Sequence, residues 1–311
     1  SLGSWVTYAL GAETDELPAY IAMTDPKGLP VEGVLNWSNG WLPSLYQGTV
    51  IRPREPRILN LEAPARRRGD VQRNYLDFLQ EVNREHAERH SDRSELDARI
   101  SNYELAARMQ VAATEALDIS RETVATHRMY GIDQPVTEEY GKRCLIARRL
   151  IERGVRFVQL FTRNQYWDHH GGIINALPAS CLKTDKPIGG LLADLKQRGL
   201  LDSTIVHWGG EMGRLPVIQN DAGRDKVGRD HNTYGFTMWV AGGGFRGGCT
   251  YGATDEFGHQ AVEDVVNHYD YHATVMHLLG LLPAQLSYRR NAREETLLDG
   301  QPGRIIKEIL A

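Results

Sequence analysis

From Glu138 onward the chain alternates helical and strand patterns, and that alternation narrows the fold more than any other feature. "EEYGKRCLIARRLIERG" reads as a helix closed by Gly154, and "VRFVQLFT" as a strand. "PIGGLLADLKQRGLL" reads as a helix with Pro187 in its first turn and Gly199 near its end. "STIVHWGG" and "GFTMWVAGGG" are further strands, and "YDYHATVMHLLGLL" is a late helix. Strands that alternate with helices predict an α/β fold with a mostly parallel sheet sandwiched by helices. In such sheets the chemistry gathers at the carboxyl ends of the strands.

The first half differs. "LPAYIAM" reads as a short buried strand entered by a proline, while "NWSNGWLPSLYQGTVI" is broken by Asn, Ser, Gly and Pro and reads as a loop anchored by Trp37 and Trp41. Residues 70–135 carry apolar side chains at helical spacing, with Ser91 and Asp92 offering a break and an N-cap between two helices. His86 and His90 lie one turn apart there, among Glu, Arg and Ser, and read as a solvated helix face, as does the charge run "ARRRG" for its loop.

The bulk numbers exclude some functions. The 311 residues carry a net charge of −4 and no broad basic footprint, so nucleic acid is not an expected partner. No apolar run approaches the roughly 20 residues of a membrane span. Cys144, Cys181 and Cys249 are too few and too far apart for a disulfide framework or a zinc cluster, and read as free, mostly buried thiols. No signal peptide opens the chain, which starts "SLGSWVTYALG".

Three strand boundaries carry chemistry. Asp168, His169 and His170 follow "VRFVQLFT" in "WDHHGG". Glu211 follows "STIVHWGG", with Met212, Gly213 and Arg214 behind it, and Arg229, Asp230 and His231 precede "GFTMWVAGGG". Taken singly, "DHH" suits a polar surface loop and a strand-end Glu suits a salt bridge. Together they make the carboxylate and imidazole set that zinc and related divalent ions prefer. Asp168 and His170 lie two apart beside glycines, so both side chains can reach one ion, with His169 pointing away. A buried Glu211 needs a partner or a metal to offset its desolvation. His207 reads as core or sheet surface, and His268, His272 and His277 as residues of the last helix.

At these residues the chain resembles a known family. "GSWVTYALG", "NWSNGWLPSLYQGT", "GVRFVQLF…WDHHGG", "LLADLKQRGLLDSTIVHWGGEMGR", "GRDHNTYGFTMWVAGGG" and "HATVMHLLGL" are similar to a bacterial family of exported, sulfatase-like proteins. That family is catalogued as a domain of unknown function within the alkaline-phosphatase/sulfatase superfamily. The resemblance implies one alkaline-phosphatase-like α/β domain over residues 1–311, with 70–135 as a helical insertion. It implies a two-metal site that hydrolyses sulfate or phosphate esters, of small molecules or glycans, in the periplasm or outside the cell. Asp168, His170 and His231 match the ligands of one metal and Glu211 matches a ligand of the other; Met212 stands where a second-metal histidine would be expected. Asp230 would orient its neighbour. Arg214 or Arg229 would hold the substrate oxyanion, since a guanidinium fork fits phosphate or sulfate. Zinc is the foremost ion, with calcium, magnesium or manganese as alternatives.

Family members place a nucleophile in a strand–loop–helix unit near their beginning. Thr7, Ser38, Ser44 and Thr49 are hydroxyls in the first 60 residues, but none follows a strand and opens a helix beside an Asp. The expectation is therefore an N-terminally truncated member whose nucleophile is absent. Two other functions stay open at this point. One is hydrolysis of esters or phosphodiesters by a metal-bound water without a protein nucleophile. The other is a non-catalytic glycan-binding module on a degenerate hydrolase fold.

Overall fold

A computed structural model of the chain describes residues 1–90, 94–210, 212–219 and 223–311. Its residues group into two compact units: residues 1–122 with 145–164, and residues 123–144 with 165–311.

The first unit is built on a small parallel sheet. The strands β1 (Tyr20–Met23), β2 (Thr49–Ile51) and β3 (Phe157–Leu160) stand in the order β2-β1-β3. Ile21 pairs with Thr49 on one side and with Val158 on the other. The central strand is buried along its whole length, as expected of "YIAM" behind its proline. Trp37 is buried against this sheet, whereas Trp41 is 54% exposed, so one of the two loop tryptophans is the anchor. The segment read as a loop also supplies β2. Helix α1 (Leu2–Leu10) is capped by the Ser1 hydroxyl and lies close to the sheet at Gly3, where a β-carbon would stand 2.7 Å from the Tyr20 ring.

Helices α2 (Asp70–Glu88) and α3 (Ser94–Leu117) fill the expected helical stretch and pack on each other, with Gln72 donating to Gln110 at 2.8 Å. The Ser91 and Asp92 break between them lies outside the described residues. The rings of His86 and His90 stand 4.4 Å apart on α2 and its end, and His86 is exposed. Met109, Ala113 and Ala116 of α3 join Ile21, Met23, Ile51, Ile146 and Leu150 in one apolar core.

Beside that core sits a buried ion cluster. Arg148 and Arg149 lie on helix α5 (Glu138–Ile151), and both reach Glu122. The Arg148 pair is 2.8 Å long, and Arg149 also donates to the carbonyls of Ala116 and Glu115 at 2.9 and 2.6 Å. Burial alone would push the Glu122 carboxyl up, but hydrogen bonds from Arg149 and Arg148 and their charges outweigh it, and its pKa falls below the usual range.

The second unit holds helix α4 (Val124–Met129), the first turns of α5, helix α6 (Ile173–Gln197) and helix α7 (His268–Leu278). Its strands form antiparallel pairs: β4 (Val206–Trp208) with β7 (Trp239–Ala241), β5 (Gly213–Arg214) with β6 (His231–Asn232), β8 (Ala253–Thr254) with β9 (Ala261–Glu263), and β10 (Ser287–Arg290) with β11 (Arg293–Thr296). Tyr130 donates to Asp194 at 2.9 Å in its interior, and Asn267 and Asp270 form a reciprocal cap at the start of α7.

Several expectations change here. The chain is α/β, but its parallel sheet has three strands and the remaining described pairs are antiparallel; it is not the broad, mostly parallel alkaline-phosphatase-like core. A parallel pair needs a crossover, usually a helix, and among the described residues none lies between Trp208 and Trp239. Pro187 does not open a helix: α6 begins at Ile173 and carries both Pro178 and Pro187 inside it. Cys144 is buried as expected, but Cys181 and Cys249 are exposed.

Replacing Glu122 with Gln should take from buried Arg149 the carboxylate it pairs with, leave Arg148 to its 2.7 Å pair with Glu152, and cost about 2–4 kcal/mol at pH 7 in a urea titration. Because the folded-state pKa is depressed, the Glu122 contribution is complete above the unfolded value of about 4.3 and is lost as pH falls through the lower folded value. The gap between variant and wild type should therefore narrow below about pH 4. Equal stability of the two proteins at pH 7 would refute the role given to this cluster.

Candidate metal centre

Two chain crossings bring the site residues together. The loop after β3 carries Asp168, His169 and His170 into the start of α6. The segment before β6 lies against that loop through backbone hydrogen bonds. Arg229 N–H donates to the His169 carbonyl at 3.0 Å, and the N–H groups of Gly172 and Ile173 donate to the carbonyls of Lys226 and Val227 at 3.3 and 3.1 Å. The approach is closest at Gly228, where a β-carbon would sit 2.0 Å from the His170 carbonyl carbon and 2.4 Å from the Gly171 nitrogen. Only glycine lets the two segments meet so closely.

The second crossing is the β5–β6 ladder. Its register sets Arg214 opposite His231, and directly opposed residues of an antiparallel pair lie on the same face. Leu215 N–H extends the pairing to the Asp230 carbonyl at 2.8 Å. One imidazole and one guanidinium thus reach the Asp168 loop as a pair.

The result is a convergence on one atom. Nε2 of His170 and Nε2 of His231 each lie 3.1 Å from Oδ1 of Asp168, and Nη2 of Arg214 lies 3.3 Å from the same oxygen. The two imidazole rings stand edge to face, 4.8 Å between centroids. Asp168 is the most enclosed of the three ligand candidates, with its side chain 16% exposed against 38% for His170 and 40% for His231.

Behind the imidazoles stand their supports. Oε1 of Gln219 accepts from Nδ1 of His170 at 2.7 Å. Asp230 accepts the backbone N–H of His231 at 2.7 Å, and its Oδ1 lies 3.8 and 3.9 Å from Nδ1 of His170 and of His231. A neutral His170 that donates through Nδ1 presents the Nε2 lone pair to Asp168 Oδ1. Two acceptors facing each other at that distance need a proton or a cation between them. One carboxylate oxygen and two imidazole nitrogens, all within 4.8 Å of one another, are a donor set that fits a divalent ion.

The other expected residues divide. Arg214 is drawn into the cluster. Arg229 has an exposed side chain and contributes its backbone N–H to the loop contact. Glu211 lies outside the described residues. His169 is buried beside the cluster, and its Nε2 has no hydrogen-bond partner among the described residues. Burial and the nearby Arg214 charge lower its pKa against the opposing pull of Asp168. His207 lies exposed on β4, within 2.7 Å of the Tyr271 hydroxyl; His272 is held to the His268 carbonyl at 2.6 Å, and His277 is exposed. Gln219 was not legible in the sequence, since an amide in a polar loop carries no spacing signal. Gly228, just before Arg229, was the available sign of a close backbone crossing.

These features define an α/β protein with a His–His–Asp cluster on a loop and a short β-ladder. The chain belongs to the family described as Protein of unknown function (DUF1501), which it matches over residues 1–310. No curated protein and no solved structure matches it.

Gly228→Ala should lower stability by about 1–3 kcal/mol, because the added carbon must displace the His170–Gly171 backbone. Gly189→Ala is the control: its β-carbon on α6 would meet nothing within 4 Å, and the change should be neutral or slightly stabilising. Thermal melts of the two variants check this, and equal behaviour would contradict the close crossing.

Proposed function

We propose that Asp168, His170 and His231 hold a divalent cation, zinc foremost, and that the chain is a metal-dependent hydrolase of sulfate or phosphate esters. The observation that carries the metal reading is the convergence of both imidazole Nε2 atoms on one carboxylate oxygen. The ester reading is supported by the sequence resemblance to sulfatase-like proteins and by the guanidinium of Arg214 beside the triad. A divalent ion in such a site stabilises charge on ester oxygens and lowers the pKa of bound water.

The chain's own residues have distinct tasks. His170 and His231 supply neutral nitrogen donors and Asp168 the anionic one. Gln219 holds the His170 ring by its far nitrogen and so fixes which nitrogen faces the ion. Asp230 ties down the backbone of His231. Arg214 offers planar N–H donors to a tetrahedral oxyanion. Gly228 keeps the loop close enough for Asp168 and His231 to share one centre.

Elemental analysis after zinc loading and desalting is the direct test. The wild-type chain should retain at least about one equivalent of zinc, in line with a single three-ligand centre. The Asp168→Ala/His231→Ala double variant should retain none, and hydrolysis of p-nitrophenyl sulfate or p-nitrophenyl phosphate should fall with it. The same zinc content in both proteins would refute the ligand assignment. Zinc retention without turnover of either ester would leave the metal site and refute the hydrolase reading. Gln219→Leu should weaken zinc binding by about 10-fold or more while sparing the three ligands.

A further inference from the structure

The guanidinium of Arg214 holds an unusual place for a residue beside a metal triad. It does not stand across a cavity from the ligands but touches one of them. Its Nη2 lies 3.3 Å from Asp168 Oδ1, the oxygen on which both imidazole nitrogens converge. Nη1 donates to the Gly213 carbonyl at 2.9 Å. Nε is buried and has no hydrogen-bond partner among the described residues. A buried N–H without such a partner is costly, and this one leaves a donor open to another acceptor.

A divalent cation on Asp168 Oδ1 would compete with the guanidinium for the same oxygen, and the two positive charges would repel each other at that distance. The β5–β6 register fixes where the Arg214 backbone stands, opposite His231. The backbone therefore stays, and the long side chain has to move. Once off the carboxylate, its fork of N–H donors, including the unpartnered Nε–H, is free for an anion next to the ion.

We propose that Arg214 is the exchangeable counter-cation of Asp168: it neutralises the carboxylate in the metal-free protein, yields it to the divalent ion, and in doing so becomes the oxyanion-binding group. Cation and substrate anion then bind with positive coupling, because each favours the same displaced position of one side chain. Such coupling is reciprocal, so a simple oxyanion must tighten cation binding as much as the cation tightens oxyanion binding. This rests on the metal reading above and adds to it an order and a mutual dependence of binding.

The test is calorimetric zinc titration of the full chain. It uses wild type and Arg214→Gln, in sodium chloride and in sodium sulfate at equal ionic strength, with zinc–sulfate association subtracted. In chloride, Arg214→Gln should bind zinc about 3- to 10-fold more tightly than wild type, since no resident cation has to leave a partly exposed ion pair. Sulfate should tighten zinc binding to wild type about 3-fold or more and leave Arg214→Gln unchanged, a coupling at the low end of those known between sites. Equal or weaker zinc binding by a folded Arg214→Gln, or sulfate enhancement that survives in it, would overturn the role of Arg214 and leave the triad standing. No zinc binding by either protein would overturn the metal reading and the inference together. The wild-type sulfate comparison needs no variant, and the absence of enhancement there would by itself contradict the proposal.

Discussion

A single carboxylate oxygen organises the candidate site in the second unit of this protein. Asp168 Oδ1 gathers two imidazole nitrogens and one guanidinium nitrogen, all between 3.1 and 3.3 Å away. Each comes from a different local structure: His170 from the same loop, His231 and Arg214 from opposite strands of a ladder only two residues deep. Such a short ladder has little stability of its own. Its attachment to the Asp168 loop supplies what it lacks, through the Gly228 crossing and the backbone hydrogen bonds around His169.

The first unit shows another solution to buried charge. Glu122 is enclosed by two guanidinium groups, of which Arg149 also finds two backbone carbonyls and Arg148 a second carboxylate, Glu152, and every strong contact named there is local to the unit. Removing one partner exposes the desolvation cost of the rest, so the cluster acts as a lock on α3 and α5. Arg214 differs in kind: one of its nitrogens is buried without a hydrogen-bond partner among the described residues, and the acid it touches also serves two histidines.

What the sequence made legible follows from what its patterns encode. Helical periodicity located α2, α3, α5 and α7, because that signal is local. The buried run "YIAM" marked the central strand for the same reason. Strand direction was not legible from "STIVHWGG" and "GFTMWVAGGG" alone, since an apolar strand looks alike in either orientation; the clue was the lack of a helical pattern between them. Pro187 misled because a proline at a helix start is the commoner case, while α6 carries two prolines in its interior. The exposed Cys181 and Cys249 had no local pattern to override the general tendency of free cysteine to be buried. At the site, Asp168, His170, His231 and Arg214 were legible because they cluster beside glycines at strand boundaries. Gln219 became visible only through the fold, since its role depends on a contact 49 residues away in the chain.

The central claim is that the two imidazoles and Asp168 surround one cation. X-ray absorption at the zinc edge of the zinc-loaded chain tests it most directly. The account predicts a first shell of nitrogen and oxygen only, with the outer-shell scattering of two imidazole rings, and the loss of that imidazole signal in His170→Ala/His231→Ala. Sulfur in the first shell, or zinc without imidazole scattering, would contradict it.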